Sequence, residues 1–266
     1  MSRQRKLALA VCVASAVIAV VAWLQPKHPA YKGRTVEQWF KRYVELRDNS
    51  RPDRVELGES ALVEAAFHAL GTNAVPYLAG RMTRNQDYSK LDMLRIKNRQ
   101  HFPRLLEGVW PLPKSKAIEG SAAANLLYQI RPPGEILLPL IEPALQSMNS
   151  NQRVQAFLAL RGISSGHELM RAHVLRGLND SHSEVQYWAA ETVGRCGPHG
   201  KWAVSNLLEM ANSPDLRVHE GAVTALNNLG TNALSAVPRL REMLAGETNA
   251  QRRKIIANSI DYLSDD

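Results

Sequence analysis

Few residues of this chain have types and spacing that could do chemistry, and each is judged by the element that would have to hold it. Gly162-Ile163-Ser164-Ser165-Gly166 fits the G-x-S-x-G pattern, in which a serine on a strained turn becomes a nucleophile. That chemistry needs a strand before the serine and a helix after it. Here the helix-spaced run Arg153–Leu160 precedes it, so the segment reads as a connection between helices. The eight histidines include no HExxH and no pairing with another His or Cys at metal-ligand spacing. His182 lies in Asp180-Ser181-His182-Ser183-Glu184, whose side chains suit a turn and a helix cap. Two cysteines, Cys12 and Cys196, build neither a disulfide framework nor a thiolate metal site. No glycine loop that would cradle a phosphate is present. The chain reads as a non-enzyme with no catalytic residue, metal or cofactor.

The charge is the next place to look for a partner. The net charge is +8, but residues 1–34 hold Arg3, Arg5, Lys6, Lys27, Lys32 and Arg34 and no acid. The remaining 232 residues carry 27 basic and 25 acidic groups. A nucleic-acid footprint needs a basic face spread along the fold, so nucleic acid is not the expected partner. The basic excess that remains is local. Residues 81–116 hold nine basic groups and three acidic ones, and Arg95, Lys97, Arg99 and Arg104 cluster there near His101, Phe102 and Trp110. This stretch has two readings, a site for an anionic partner and an exposed helix and loop that brace the first helices.

The amino terminus is expected to meet a membrane. Leu7–Leu24 is free of charge and is long enough, as a helix of about 27 Å, to match a bilayer's hydrocarbon. Trp23 suits an interfacial anchor. The expectation is a single-pass membrane protein with an extracytoplasmic soluble domain, or a secreted one if Val20-Val21-Ala22 is a cleavage site. Residues 25–34, with Pro26, Pro29 and Gly33, read as a linker. Thr35 is a plausible N-cap for an amphipathic helix that carries Val36, Trp39, Phe40, Tyr43 and Val44.

What positions everything else is an internal repeat. Setting Val185–Ala211 over Val218–Leu244, an offset of 33, gives identities at Val185/Val218, Ala189/Ala222, Gly197/Gly230, Ala203/Ala236, Val204/Val237, Leu207/Leu240, Glu209/Glu242 and Met210/Met243. Each copy reads as a helix, a glycine-marked turn and a second helix. Leu70, Ile130, Ser165, Cys196, Leu229 and Leu263 are expected to close the first helices. Cys196 aligns with Leu229 and is therefore expected in the core. Gly71 suits a left-handed cap and Asn73 the cap of the next helix, with Pro76 in its first turn. Gly134 and Pro139 repeat that five-residue spacing. The unit is broken once, by an insertion over about 85–116.

Leu178-x-Asp180, Val185, Ala189-Ala190, Gly197, Ala203-Val204 and Leu207-Leu208 resemble the HEAT-repeat family, closest to the short HEAT-like repeats also found in phycobilisome lyases. Tyr31–Phe40 resembles a short motif that precedes such arrays in exported bacterial proteins. The resemblance implies an all-α, right-handed α-solenoid over residues 35–266, preceded by the membrane or signal helix. It also implies an arginine after the repeat valine, forming a polar ladder along the turns. Gln186 and His219 stand there, which puts the ladder in doubt. In such folds the second helices line the concave side. There Arg81, Arg171, Lys201, Arg239 and Arg241, with Arg95, Lys97, Arg99, Arg104 and Trp110 of the insertion, are the candidate partner-binding residues. The expected function is a non-enzymatic, membrane-tethered scaffold for protein partners. The alternatives are a lyase-like or cofactor-handling HEAT protein, and a binder of anionic lipid or nucleic acid through 81–116.

Overall fold

A tight turn at Lys32-Gly33 lies between the first two elements. At φ 45° and 73° these two residues form the two-residue loop whose twist matches paired strands, and β1 (Ala30–Tyr31) and β2 (Arg34–Thr35) close antiparallel around it. The computed structural model describes residues 29–48, 54–84, 116–163 and 167–264, and the elements after this hairpin are helical. Residues 30–34, read above as linker, are thus part of the fold. The hairpin is fastened to α1 (Val36–Asp48): the Trp39 indole donates to the Tyr31 carbonyl at 3.0 Å, and the Arg34 guanidinium lies 4.9 Å from the Trp39 ring centre. Thr35 caps α1 reciprocally. The Gln38 N–H donates to Thr35 Oγ1 at 3.3 Å and the Thr35 N–H to Gln38 Oε1 at 2.9 Å.

Among the described residues five helix pairs and a single helix follow. They are α2 (Arg54–Leu70) with α3 (Val75–Thr83), α4 (Lys116–Ile130) with α5 (Gly134–Leu145), and α6 (Ser150–Leu160) with α7 (Arg171–Leu178). Then come α8 (Ser183–Arg195) with α9 (Val204–Ala211), α10 (Leu216–Leu229) with α11 (Val237–Gly246), and α12 (Ala250–Ser264). The first helices form one row, α4 on α6, α6 on α8, α8 on α10 and α10 on α12. Each second helix from α5 onward also lies against the first helix of the next pair. Small residues let the row close up: Ala123, Ala124, Ala156, Ala159, Ala189, Ala190, Ala222 and Ala225 are buried along it. At one end Trp39, Phe40 and Tyr43 cover the first pair, as an array's terminus requires. Phe40 meets the Tyr77 ring edge-on at 5.8 Å, and the Arg42–Glu59 ion pair joins α1 to α2.

The turns between partners explain where the sequence reading slips. Gly71, Gly197 and Gly230 stand at φ 51°, 52° and 54°, and each opens a 3-10 turn before the second helix begins. Second helices therefore start later than expected, and Asn73 lies inside a 3-10 turn and caps nothing with its side chain. In the second pair the left-handed residue is Arg131, at φ 54°, and not Gly134; Pro139 sits inside α5 with Pro143. The first helix of the third pair ends at Leu160, short of Ser165.

The polar ladder exists in altered form. Arg153, Gln186, His219 and Arg252 recur at the 33-residue interval. Arg153 pairs with both carboxylate oxygens of Asp180, at 2.7 and 2.8 Å, and donates to the Ser147 carbonyl at 2.7 Å. Arg252 donates to the Ser213 carbonyl at 2.7 Å and pairs with Glu247. His219, fully buried, donates from Nδ1 to the Ala211 carbonyl at 2.6 Å. Gln186 lies on a cavity of about 220 Å³ with Asn179, Asn206 and Ser213.

The expected membrane protein with an extracytoplasmic domain is corrected. No helix among the described residues is long and apolar enough to cross a membrane. Leu7–Leu24, on which that expectation stood, lies outside the described residues.

Candidate functional site

The cations expected to bind a partner differ in how much of their charge is free. Arg81 donates to the Tyr77 hydroxyl at 3.0 Å, pairs with Glu119 at 3.2 Å and Glu37 at 3.4 Å, and lies over the rings of Phe40 and Tyr77. It braces α3 against α1 and α4. Arg171 lies 5.1 Å over the Trp202 ring, joining the third pair to the fourth. Arg239 pairs with Glu242 on its own helix at 2.7 Å, while Lys201 and Arg241 are exposed. Arg95, Lys97, Arg99, Arg104 and Trp110 lie outside the described residues.

The second-helix row is not a basic strip. From α5 to α11, with their 3-10 turns, it carries five basic groups (Arg171, Arg176, Lys201, Arg239, Arg241) and five acidic ones (Glu135, Glu142, Glu168, Glu209, Glu242). Exposed apolar side chains stand among them: Ile136 and Leu140 on α5, Leu169 before α7 and Leu234 before α11. Such a mixed surface matches the composition of a protein contact, with apolar anchors inside a charged surround.

A second feature was not foreseen. The closing turns of α4, α6 and α8 bring Arg131, Arg161 and Arg195 around a half-open cavity of about 530 Å³, also lined by Tyr128, Ile163 and Cys196. Arg161 is held between two rings, 5.1 Å from the Tyr128 centre and 4.8 Å from that of Trp188. Arg195 reaches the Tyr128 ring at 5.8 Å. The close approach of α6 to α4 depends on Gly162, where a Cβ would stand 2.5 Å from the Tyr128 carbonyl oxygen.

The charge here is unbalanced. Among the described residues the ion pair at this cavity is Arg161–Glu191, 3.7 Å apart, which leaves two of three cations without a carboxylate. Among the described residues the Arg161 Nε and the Trp188 indole nitrogen are buried with no hydrogen-bond partner. Helix C-termini attract cations, though at least one carbonyl at each of these ends is taken up by backbone: Leu127 O accepts from the Arg131 N–H at 3.2 Å, Phe157 O from the Arg161 N–H at 3.1 Å and Val193 O from the Cys196 N–H at 2.9 Å. Cys196 is inert. It is buried, donates its thiol to the Thr192 carbonyl, and burial pushes its pKa up to about 12. The core position expected from its register is what the structure shows. The sequence signal for this site was an arginine beside three successive helix ends, masked because each arginine alone reads as ordinary helix-end composition.

Ser164 lies outside the described residues, but the helix α6 that leads toward it removes the strand a nucleophilic elbow requires. Among the described residues no group of His, Cys, Asp and Glu could hold a metal ion.

No curated protein matches the chain. The crystal structure of an engineered protein is similar at 19% identity over 85% of this chain and 96% of its own, with a TM-score of 0.41. Residues 172–261, from α7 into α12, match the family model for HEAT repeats, and that match supports a HEAT-repeat family for this chain.

Proposed function

We propose that this chain is a non-enzymatic repeat scaffold that binds a protein partner along its second-helix row. The observation that carries the reading is the composition of that row: balanced charge of both signs around exposed Ile136, Leu140, Leu169 and Leu234. A nucleic-acid footprint is uniformly basic, because affinity comes from phosphate neutralisation. A protein contact instead takes apolar anchors and paired charges of either sign. HEAT repeats commonly serve such contacts, which agrees with this assignment.

The test is site-specific photo-crosslinking of the full chain. A photoreactive residue at Leu169 or Leu234 is expected to yield a discrete adduct with one protein. The same residue at Leu62 on α2 or Tyr262 on α12, exposed positions on first helices, should not. Equal adducts from both rows would overturn the assignment.

A further inference from the structure

We propose that the cavity at the closing turns of α4, α6 and α8 is a binding site for a phosphate monoester. The site is separate from the second-helix row and does not depend on its role. Of the three guanidiniums at the cavity, Arg161 pairs with Glu191 at 3.7 Å while Arg131 and Arg195 pair with no carboxylate among the described residues, which leaves two unbalanced positive charges. A phosphate monoester at neutral pH carries about −1.5 to −2 charges and three acceptor oxygens. A carboxylate would meet only half of that charge with two oxygens. Arginine rather than lysine suits this ligand, because its planar fork meets phosphate oxygens in pairs.

Arg161 is the fixed donor. Its guanidinium is clamped between Tyr128 and Trp188, so little side-chain freedom is lost when an anion binds. Its Nε is buried with no hydrogen-bond partner among the described residues. Arg131 and Arg195 are exposed at the rim. The cavity, at about 530 Å³, holds a phosphate together with part of the group that carries it.

The second, independent observation is backbone strain. Other pairs place glycine at the left-handed position after the first helix, at Gly71, Gly197 and Gly230. The second pair places Arg131 there at φ 54°, a conformation unfavourable for a side chain. Compensation of a helix dipole does not require it, since a cation one residue earlier would serve without strain. Strain of this kind collects where a side chain is held for a ligand.

Isothermal titration of the full chain with three probes tests the proposal: O-phosphoserine, an end-capped phosphoserine peptide, and the same peptide with glutamate in place of phosphoserine. The phosphorylated probes are expected to bind and the glutamate peptide at least tenfold more weakly. Tighter binding of the peptide than of O-phosphoserine would identify a phosphorylated side chain as the source, and the reverse a free phosphorylated small molecule. Arg131→Gly is the decisive variant. It should lose about tenfold in phosphate affinity, one charge-assisted hydrogen bond's worth, while its melting temperature stays level or rises. Failure of both phosphorylated probes to bind, equal binding of the glutamate peptide, or unchanged affinity in Arg131→Gly would each overturn the assignment.

Discussion

Replacing Gly162 with alanine tests whether the array is held by close backbone contact between neighbouring helices of its first-helix row. A Cβ at Gly162 would stand 2.5 Å from the Tyr128 carbonyl oxygen, 2.6 Å from its Cα and 2.9 Å from its carbonyl carbon. Ordinary contact begins at 3.4 Å, so α6 and α4 would have to part by 0.9 Å at this point. All three obstructing atoms are backbone, and no side-chain rotation can relieve them. Parting the helices loosens the packing of Leu126, Leu127, Phe157 and Leu160, each no more than 2% exposed. A gap of that size forfeits a quarter to a half of each dispersion contact, and overpacking costs about 1–3 kcal/mol, here at the upper end. Gly80 supplies the control. It lies in α3 with no atom within 4 Å of its would-be Cβ, so Gly80→Ala should stabilise by about 0.5–1 kcal/mol. Thermal unfolding followed by far-ultraviolet circular dichroism should show Gly162→Ala about 6–12 °C below the parent and Gly80→Ala about 2 °C above it. The urea transition of Gly162→Ala should also broaden, because weakening one interface lets an array unfold in parts. If both variants moved the melting temperature the same way and by similar amounts, the reasoning from close approach would be wrong.

Substitutions at two places in the ladder probe it further. Burial lowers the His219 pKa below its ordinary value; the Ala211 carbonyl opposes that, Arg252 adds to it, and Glu247 and Glu220 oppose it. The unfolded chain then binds the proton more readily, so stability present above about pH 6.5 is lost as pH falls through the folded value. Denaturant midpoints should decline more steeply for the parent than for His219→Gln over that range, and parallel profiles would count against the assignment. At the Arg153–Asp180 pair, the two side chains are 13% and 10% exposed, and Asp180→Asn leaves a buried cation unpaired at a cost of about 3 kcal/mol. Burial raises the Asp180 pKa, but bonds from Arg153 and the His182 N–H outweigh it, so the carboxylate's contribution is present above the ordinary aspartate range and lost as pH falls through the depressed value. Urea midpoints for Asp180→Asn, and for Arg153→Met, Asp180→Leu and their combination, will check this: the double variant should lose less than its two single variants together.

The repeat was legible because identical residues at one interval must occupy equivalent places in a stack. That register located Cys196 in the core and drew the helix pairs from the one whose first helix closes at Leu70 onward. It also brought Arg153, Gln186, His219 and Arg252 into line, although only the structure shows that His219 and Arg252 converge on one turn, His219 on the Ala211 carbonyl and Arg252 on those of Ser213 and Ala211. Periodicity misplaced the starts of second helices, since a 3-10 turn and an α-helix begin with the same glycine and alternate apolar residues similarly over one turn. It also missed the hairpin at Lys32-Gly33, which is too short to alternate at all.

The sequence by itself determined the unit, its length, and which side chains face inward, because burial repeats with the helical period. Only the tertiary structure decided which charges are spent and which are free. Arg81 disappears into ion pairs with two neighbouring helices, while Arg131, Arg161 and Arg195, separated by 30 and 34 residues, converge on one cavity. Electrostatic balance is set by distance in space, and in a stacked array the groups that meet at a turn come from different repeats.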